Sequence, residues 1–100
     1  MRRISIDQLL SSPVELSRLR ELLASGGLLA IPTETHYGLA ADPSSESGVE
    51  RIFAAKGRDD GKPLPVLIGE RDQLDRLGID SRDKDLDRYF RIWPAALTVV

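Results

Sequence analysis

Cysteine is absent from this chain. That one fact excludes a disulfide framework, a thiolate zinc site and a cysteine nucleophile, and it is compatible with a reducing compartment. Histidine occurs once, at His36, so no histidine-based metal cluster can form within the sequence. Long apolar stretches are missing as well. Runs such as Leu28–Ile31 are far too short to span a bilayer. Asp7 interrupts the apolar residues that follow Met1-Arg2-Arg3, so no signal peptide is expected and a soluble cytoplasmic protein is the default. Nor is there an excess of one charge. With 14 basic and 16 acidic groups the formal charge is −2, which gives no general attraction for nucleic acid or an anionic membrane. Any phosphate binding must come from a local cluster of cations.

What is present suits a folded protein. Apolar residues make up 41% of the sequence, which argues against disorder. The 100 residues fit one domain or a piece of one, with a modest core at best. Arg3–Ile6 reads as a short strand. Ser12-Pro13-Val14-Glu15 is a helix start: Ser12 can accept from first-turn amides, Pro13 falls where a missing donor costs nothing, and Glu15 holds the capping-box position. Leu16, Leu19, Leu22 and Leu23 continue at helical spacing until Gly26-Gly27. Leu28–Ile31 reads as a buried strand ended by Pro32. Residues 33–45 lack clean periodicity and read as a loop, the usual place for a site. A second helix is expected from about 45–47 to Lys56, with Val49, Ile52 and Phe53 facing inward and Gly57 ending it. After a charged loop, Pro63–Ile68 reads as a strand, and 70–77 as a short helix closed by Gly78. Ser81 can cap a further helix in which Leu86, Tyr89, Phe90 and Trp93 share a face, ended by Pro94. Leu97–Val100 reads as another strand. Alternation of this kind predicts an α/β domain with a mainly covered sheet. Because the sequence stops inside an apolar segment, a larger domain is expected.

Three places could carry chemistry. Pro32-Thr33-Glu34-Thr35-His36-Tyr37-Gly38-Leu39 follows directly on a buried strand, and ligands bind beyond the carboxyl ends of strands in open α/β sheets. Its hydroxyls, carboxylate, imidazole and phenol suit recognition of a small polar molecule, and they suit a polar turn equally well. His36 itself reads as a surface or hydrogen-bonded group rather than a general base. Lys56-Gly57-Arg58, with Lys62 close behind, places three cations near a helix end. Guanidinium and ammonium groups can meet one anion from two sides, and they also sit comfortably at any helix C-terminus. Asp59 and Asp60 could pair with these cations or help hold magnesium beside phosphate oxygens. Trp93-Pro94-Ala95-Ala96-Leu97-Thr98 reads most simply as core packing. No Walker loop, dinucleotide glycine fingerprint or serine–histidine–aspartate order is visible.

Taken in order, these segments resemble the YrdC family. Its members carry Pro-Thr-Glu-Thr-x-Tyr-Gly-Leu after a strand, then Lys-x-Arg, a Pro-Leu strand, and Trp-Pro-x-x-Leu-Thr. Here these are Pro32–Leu39, Lys56–Arg58, Pro63-Leu64 and Trp93–Thr98, so the likeness covers nearly the whole chain but only the N-terminal portion of a family domain. The resemblance implies a twisted mixed α/β sheet with flanking helices, here truncated, around a concave, positively charged cavity. It implies an activity as well: threonine and bicarbonate give N-carboxythreonine, which attacks the α-phosphorus of ATP and yields threonylcarbamoyl-AMP for tRNA modification by partner proteins. By resemblance, Lys56 and Arg58 are catalytic and hold the triphosphate together with Lys62, and Mg²⁺ bridges phosphate oxygens. Thr33, Thr35, Tyr37 and Leu67 fall at the pocket for L-threonine. Leu67 stands where many members have histidine, Ala95 where glycine is usual, His36 where a small or aliphatic residue is usual, and Asp59 where proline is common. The later Ser-x-Asn motif and its arginine, which complete the family's ATP site, are absent from these residues. Two other readings stand beside this one. One is a module for double-stranded RNA or tRNA, against which the net charge argues. The other is a carbamoyl-transfer domain of hydrogenase-maturation type, which normally accompanies cysteine sets.

Overall fold

The structure, a computed structural model, describes residues 1–57, 62–95 and 97–100. It comprises two compact units, residues 1–62 and 63–100.

The first unit opens on a helix where a strand was expected. Ser5-Ile6-Asp7-Gln8 is a capping box: the Ser5 hydroxyl accepts from the Gln8 N–H at 3.2 Å, and the Gln8 side chain accepts from the Ser5 N–H at 3.2 Å. Two orphan donors are satisfied locally, and this outweighs the strand preference of Ile4 and Ile6. Helix α1 (Ile6–Ser11) results. Ser12 then caps α2 (Pro13–Ala24), with Pro13 at its first position as predicted. The Ser12 hydroxyl accepts from the Glu15 N–H at 3.3 Å. The Glu15 carboxylate instead takes Arg2 and Arg18 as ionic partners.

Beyond α2 the chain reverses at Gly26, whose φ of +84° suits glycine best. Strands β1 (Leu29–Pro32) and β2 (Tyr37–Ala40) then form an antiparallel hairpin. The register pairs Leu29 with Ala40, Ala30 with Leu39, Ile31 with Gly38 and Pro32 with Tyr37. Strand β2 corrects the expectation of a loop through 33–45. Leu29, Ile31, Gly38 and Ala40 share the half-buried face, as period-2 alternation requires, while Ala30, Pro32, Tyr37 and Leu39 are exposed.

Helix α3 (Glu46–Lys56) follows, capped by the Ser45 hydroxyl, which accepts from the Gly48 N–H at 3.2 Å. Gly57, at φ +59°, closes it in the left-handed conformation that leaves no Cβ penalty. Its inner face is the predicted one: Ile52 is 6% exposed, and Val49 and Phe53 are half-buried. Among the described residues Ile52 is the buried core hydrophobe, and the other buried positions are Gly26, Gly27 and Gly48.

The second unit holds a 3₁₀ helix (Arg71–Leu77) closed by Gly78, a 3₁₀ turn (Lys84–Leu86) and the short helix α4 (Asp87–Phe90). The single long helix expected after Ser81 is therefore divided. Asp83, not Ser81, caps its first part, because the Ser81 hydroxyl and N–H are both committed to Asp75 at 2.9 Å. Arg71 ties the unit together. Its Nε donates to the Ser81 carbonyl at 2.5 Å and its Nη2 to the Asp83 carbonyl at 3.0 Å. The same guanidinium pairs with Asp87 at 2.8 Å and lies 4.8 Å from the centre of the Phe90 ring. Trp93 meets Phe90 edge-on, with centroids 5.5 Å apart, in keeping with the packing role read for it. Pro63–Ile68 and Leu97–Val100, both expected as strands, form no ladder among the described residues. Pro63 and Pro65 have no N–H to donate, and an apolar run becomes a strand only when another strand lies beside it. The result is α/β: helices accompany one small sheet. Among the described residues no helix is long and apolar enough to cross a membrane.

Candidate functional site

The hydroxyl-rich segment is the turn of the β1–β2 hairpin. Thr33 organises it. Its N–H donates to the His36 carbonyl at 3.0 Å, and its hydroxyl donates to the same carbonyl. That hydroxyl also accepts from the N–H groups of His36 at 3.1 Å and Thr35 at 3.4 Å. Thr33 Oγ1 is thus taken up by the turn itself, a side chain standing in for a backbone acceptor. The Thr35 hydroxyl lies 3.5 Å from it on the exposed rim. Tyr37, the first residue of β2, is 78% exposed on the open face of the hairpin. The structure therefore brings Thr33, Thr35 and Tyr37 together at one end of the hairpin, with His36 and Glu34 between them.

Lys56 is the last residue of α3 and is exposed, its charge favourably placed at a helix C-terminus. Lys62 is exposed at the close of the first unit. Arg58, with Asp59 and Asp60, lies outside the described residues. Leu67 belongs to the second unit and is 77% exposed. Among the described residues no cluster of histidine and carboxylates could hold a metal ion by itself.

The start of α3 is fixed to the opposite end of the hairpin from the turn. A Cβ on Gly48 would lie 3.3 Å from that of Ala41, just past β2, and one on Gly26, shortly before β1, would lie 3.3 Å from the Gly48 nitrogen. Arg51 adds a polar clasp, donating from Nη1 to the Gly26 carbonyl at 2.9 Å. Sequence reasoning missed Arg51 because its partner lies 25 residues away and is a backbone oxygen. The strand β2 was legible in principle, since Tyr37 and Leu39 alternate with Gly38 and Ala40.

Two clefts lie elsewhere. One of about 440 Å³ in the first unit is lined by residues including Arg2, Arg3, Gln8 and Glu15. Another of about 330 Å³ in the second unit is lined by Arg71, Asp87, Phe90 and Arg91. Neither includes a residue of the predicted site.

The Sua5/YciO/YrdC family model, described as Telomere recombination, matches residues 21–100, from the end of α2 through the hairpin, α3 and the whole second unit. The chain belongs to the Sua5/YciO/YrdC family. Among its relatives, a protein of Bacillus subtilis named Threonylcarbamoyl-AMP synthase is 35% identical over 94 residues, 94% of this chain and 27% of that protein. A protein of the same name from Pyrococcus abyssi is 41% identical over 78% of this chain and 23% of its own length. Another of that name, from Pseudomonas aeruginosa, is 40% identical over 77% of this chain and 42% of its own length. The chain thus spans from 23% to 42% of the length of these three relatives. No solved structure matches it.

Proposed function

We propose that residues 1–100 are the N-terminal portion of one YrdC-like domain, and that the whole protein is a cytoplasmic L-threonylcarbamoyladenylate synthase. Its substrates are ATP, L-threonine and bicarbonate, and its product serves threonylcarbamoyladenosine modification of tRNA with partner proteins. The supporting observation is the ordered recurrence of Pro32–Leu39, Lys56-x-Arg58 and Trp93–Thr98 in a chain whose relatives carry that activity in their names.

The local geometry is suited to the task. The hairpin turn presents Thr35 and Tyr37 for threonine, with Thr33 shaping the pocket by holding the turn. Helix α3 is about 16 Å long at about 1.5 Å per residue. The strands, at about 3.3 Å per residue, carry the hairpin a similar distance from its open end to its turn. By resemblance to the family, Lys56 at the end of α3 serves the same site as the turn. There the carboxylate of N-carboxythreonine attacks the α-phosphorus, the new O–P bond forms, and the bond to the β-phosphate oxygen breaks to release pyrophosphate. In-line displacement at phosphorus asks for positioning and charge neutralisation rather than covalent participation. Lys56, Arg58 and Lys62 supply both by holding the triphosphate. Magnesium, which binds through few carboxylates and several phosphate oxygens, would arrive with the nucleotide.

The test is pyrophosphate release by the whole protein. Release should require threonine and bicarbonate together, and Lys56→Ala and Arg58→Ala should each abolish it with the unfolding temperature nearly unchanged. Release without either co-substrate defeats the reading, and full turnover in both variants removes these cations from the site.

A further inference from the structure

We infer that Arg51 is a positioning residue for the ATP side of the site: by clasping the Gly26 carbonyl it sets the angle of α3, and so the place of Lys56, relative to the hairpin. The inference rests on the function proposed above.

The junction at the start of α3 is close and built from small residues. Gly26, Gly27 and Gly48 are all buried there. A Cβ on Gly26 would come within 2.3 Å of Ser47 Oγ, and one on Gly27 within 2.5 Å of the Leu22 side chain. Small groups meet there, Gly26 facing the Ser47 hydroxyl and the Gly48 nitrogen and Gly48 facing Ser45 and Ala41, and a contact of this kind acts as a pivot. It fixes where the helix begins, and the tilt is then shared between the inner face of the helix, Val49, Ile52 and Phe53, and the directed bond made by Arg51. Arg51 is the group that spans the pivot with a directed bond, 2.9 Å from Nη1 to the carbonyl of Gly26. That carbonyl lies just upstream of β1, so the bond refers the helix to the hairpin and not to a mobile side chain.

Lys56 lies at the far end of the lever. It stands about 12 Å along the helix from Gly48 at about 1.5 Å per residue, so a tilt of about 5° displaces it by about 1 Å. Misplacement on that scale can cost about a hundredfold in rate when the reacting groups must stay aligned. Arg51 touches neither hydroxyl-bearing turn nor triphosphate in this account. Its loss should leave each substrate's own contacts whole and disturb only their alignment.

That distinction gives the experiment. In the whole protein, Arg51→Ala should lower kcat for threonine- and bicarbonate-dependent pyrophosphate release about tenfold or more. KM for ATP and for threonine should each move less than about twofold, since alignment and not binding is lost. Arg51→Lys should restore most of the rate, because an ammonium can donate to the same carbonyl. In parallel, spin labels attached through Glu34→Cys at the turn and Ala55→Cys near the end of α3 should show a defined separation that broadens or shifts in the Arg51→Ala background. This chain contributes no cysteine of its own to confuse the labelling. An unchanged kcat overturns the inference, as does a common rise of both KM values with a fall in unfolding temperature. If the parent protein shows no such turnover, it is the proposed function that fails. The label separation then decides the role of Arg51 alone, and an unaltered separation rejects it.

Discussion

The two units of this chain are held by different kinds of interaction. In the first, order comes from the backbone: serine caps at Ser5, Ser12 and Ser45, an in-register hairpin, and a glycine junction with Arg51 across it. In the second, a few side chains hold irregular backbone in place, chiefly Arg71 on two carbonyls and Asp75 on Ser81. Capped helices and ladders share their stabilisation among many small terms, so the loss of one cap weakens them by only about 1 kcal/mol. A hub concentrates it, so one substitution should affect the whole second unit. The residues singled out in the sequence follow the same division. The turn and Lys56 sit on regular elements, whereas Leu67 belongs to no helix or strand among the described residues.

The comparison breaks most sharply at the place where the first unit is itself concentrated. Gly26→Ala puts a Cβ into the Ser47 hydroxyl and imposes a side chain on a φ of +84°. Left-handed strain of about 1–2 kcal/mol and crowding of about 1–3 kcal/mol together predict a loss of about 3 kcal/mol in urea unfolding. A loss under 1 kcal/mol would mean that the junction is looser than drawn. Next comes Arg71→Ala. It removes charge-assisted bonds worth about 1.5–3 kcal/mol, with smaller additions from the partly exposed Asp87 pair and the Phe90 ring. About 2 kcal/mol should be lost from the second unit, with the hairpin amides as protected from hydrogen exchange as before. Arg71→Lys should recover the smaller part only, because an ammonium cannot fork across two carbonyls and an aspartate. Equal loss in both units would erase the distinction between them.

How far the sequence disclosed all this follows the same line. Ser12, Ser45, Gly57 and Gly78 mark helix ends correctly, because a cap is a local event: a serine hydroxyl meets an amide three residues on, or a glycine takes the left-handed conformation. The Ser5–Gln8 box is equally local, but Ile4 and Ile6 beside it carry the signal of a strand. The inner face of α3 was legible from its spacing. Strand β2 was obscured by the polar turn before it and by Gly38, which gives a strand pattern nothing to bury. Pro63–Ile68 and Leu97–Val100 show the converse: apolar as they are, they form no ladder among the described residues and are largely exposed. The Arg51 and Arg71 contacts could not be read at all, since both arginines seek backbone oxygens, which look alike in every sequence. Within the candidate site, the Thr33–Tyr37 cluster was visible as chemistry. The division of labour between Thr33, spent inside the turn, and Thr35, on its rim, became visible only with the fold.

The smallest of the expected effects concerns the second hub. The Ser81 N–H and hydroxyl each reach one oxygen of Asp75, and these bonds hold its carboxyl below the ordinary value of 3.8, with Arg82 adding to them and slight desolvation opposing. Both bonds favour the carboxylate. With the folded value below the unfolded one, the contribution to stability is complete above 3.8 and fades as pH falls through the folded value. The side chain is exposed, so the effect is modest. Asp75→Asn keeps an acceptor for the Ser81 N–H but loses the charge, so it should be somewhat less stable than the parent at neutral pH. That difference should shrink as the pH is taken below 3.8, where the parent's own carboxyl becomes protonated. Fluorescence of Trp93, the sole tryptophan of the sequence and a member of the same unit, reports the transition. A gap between the two proteins that stays constant across that acid range would mean that Ser81 holds Asp75 by shape and not by charge, and that Arg71 alone governs the unit.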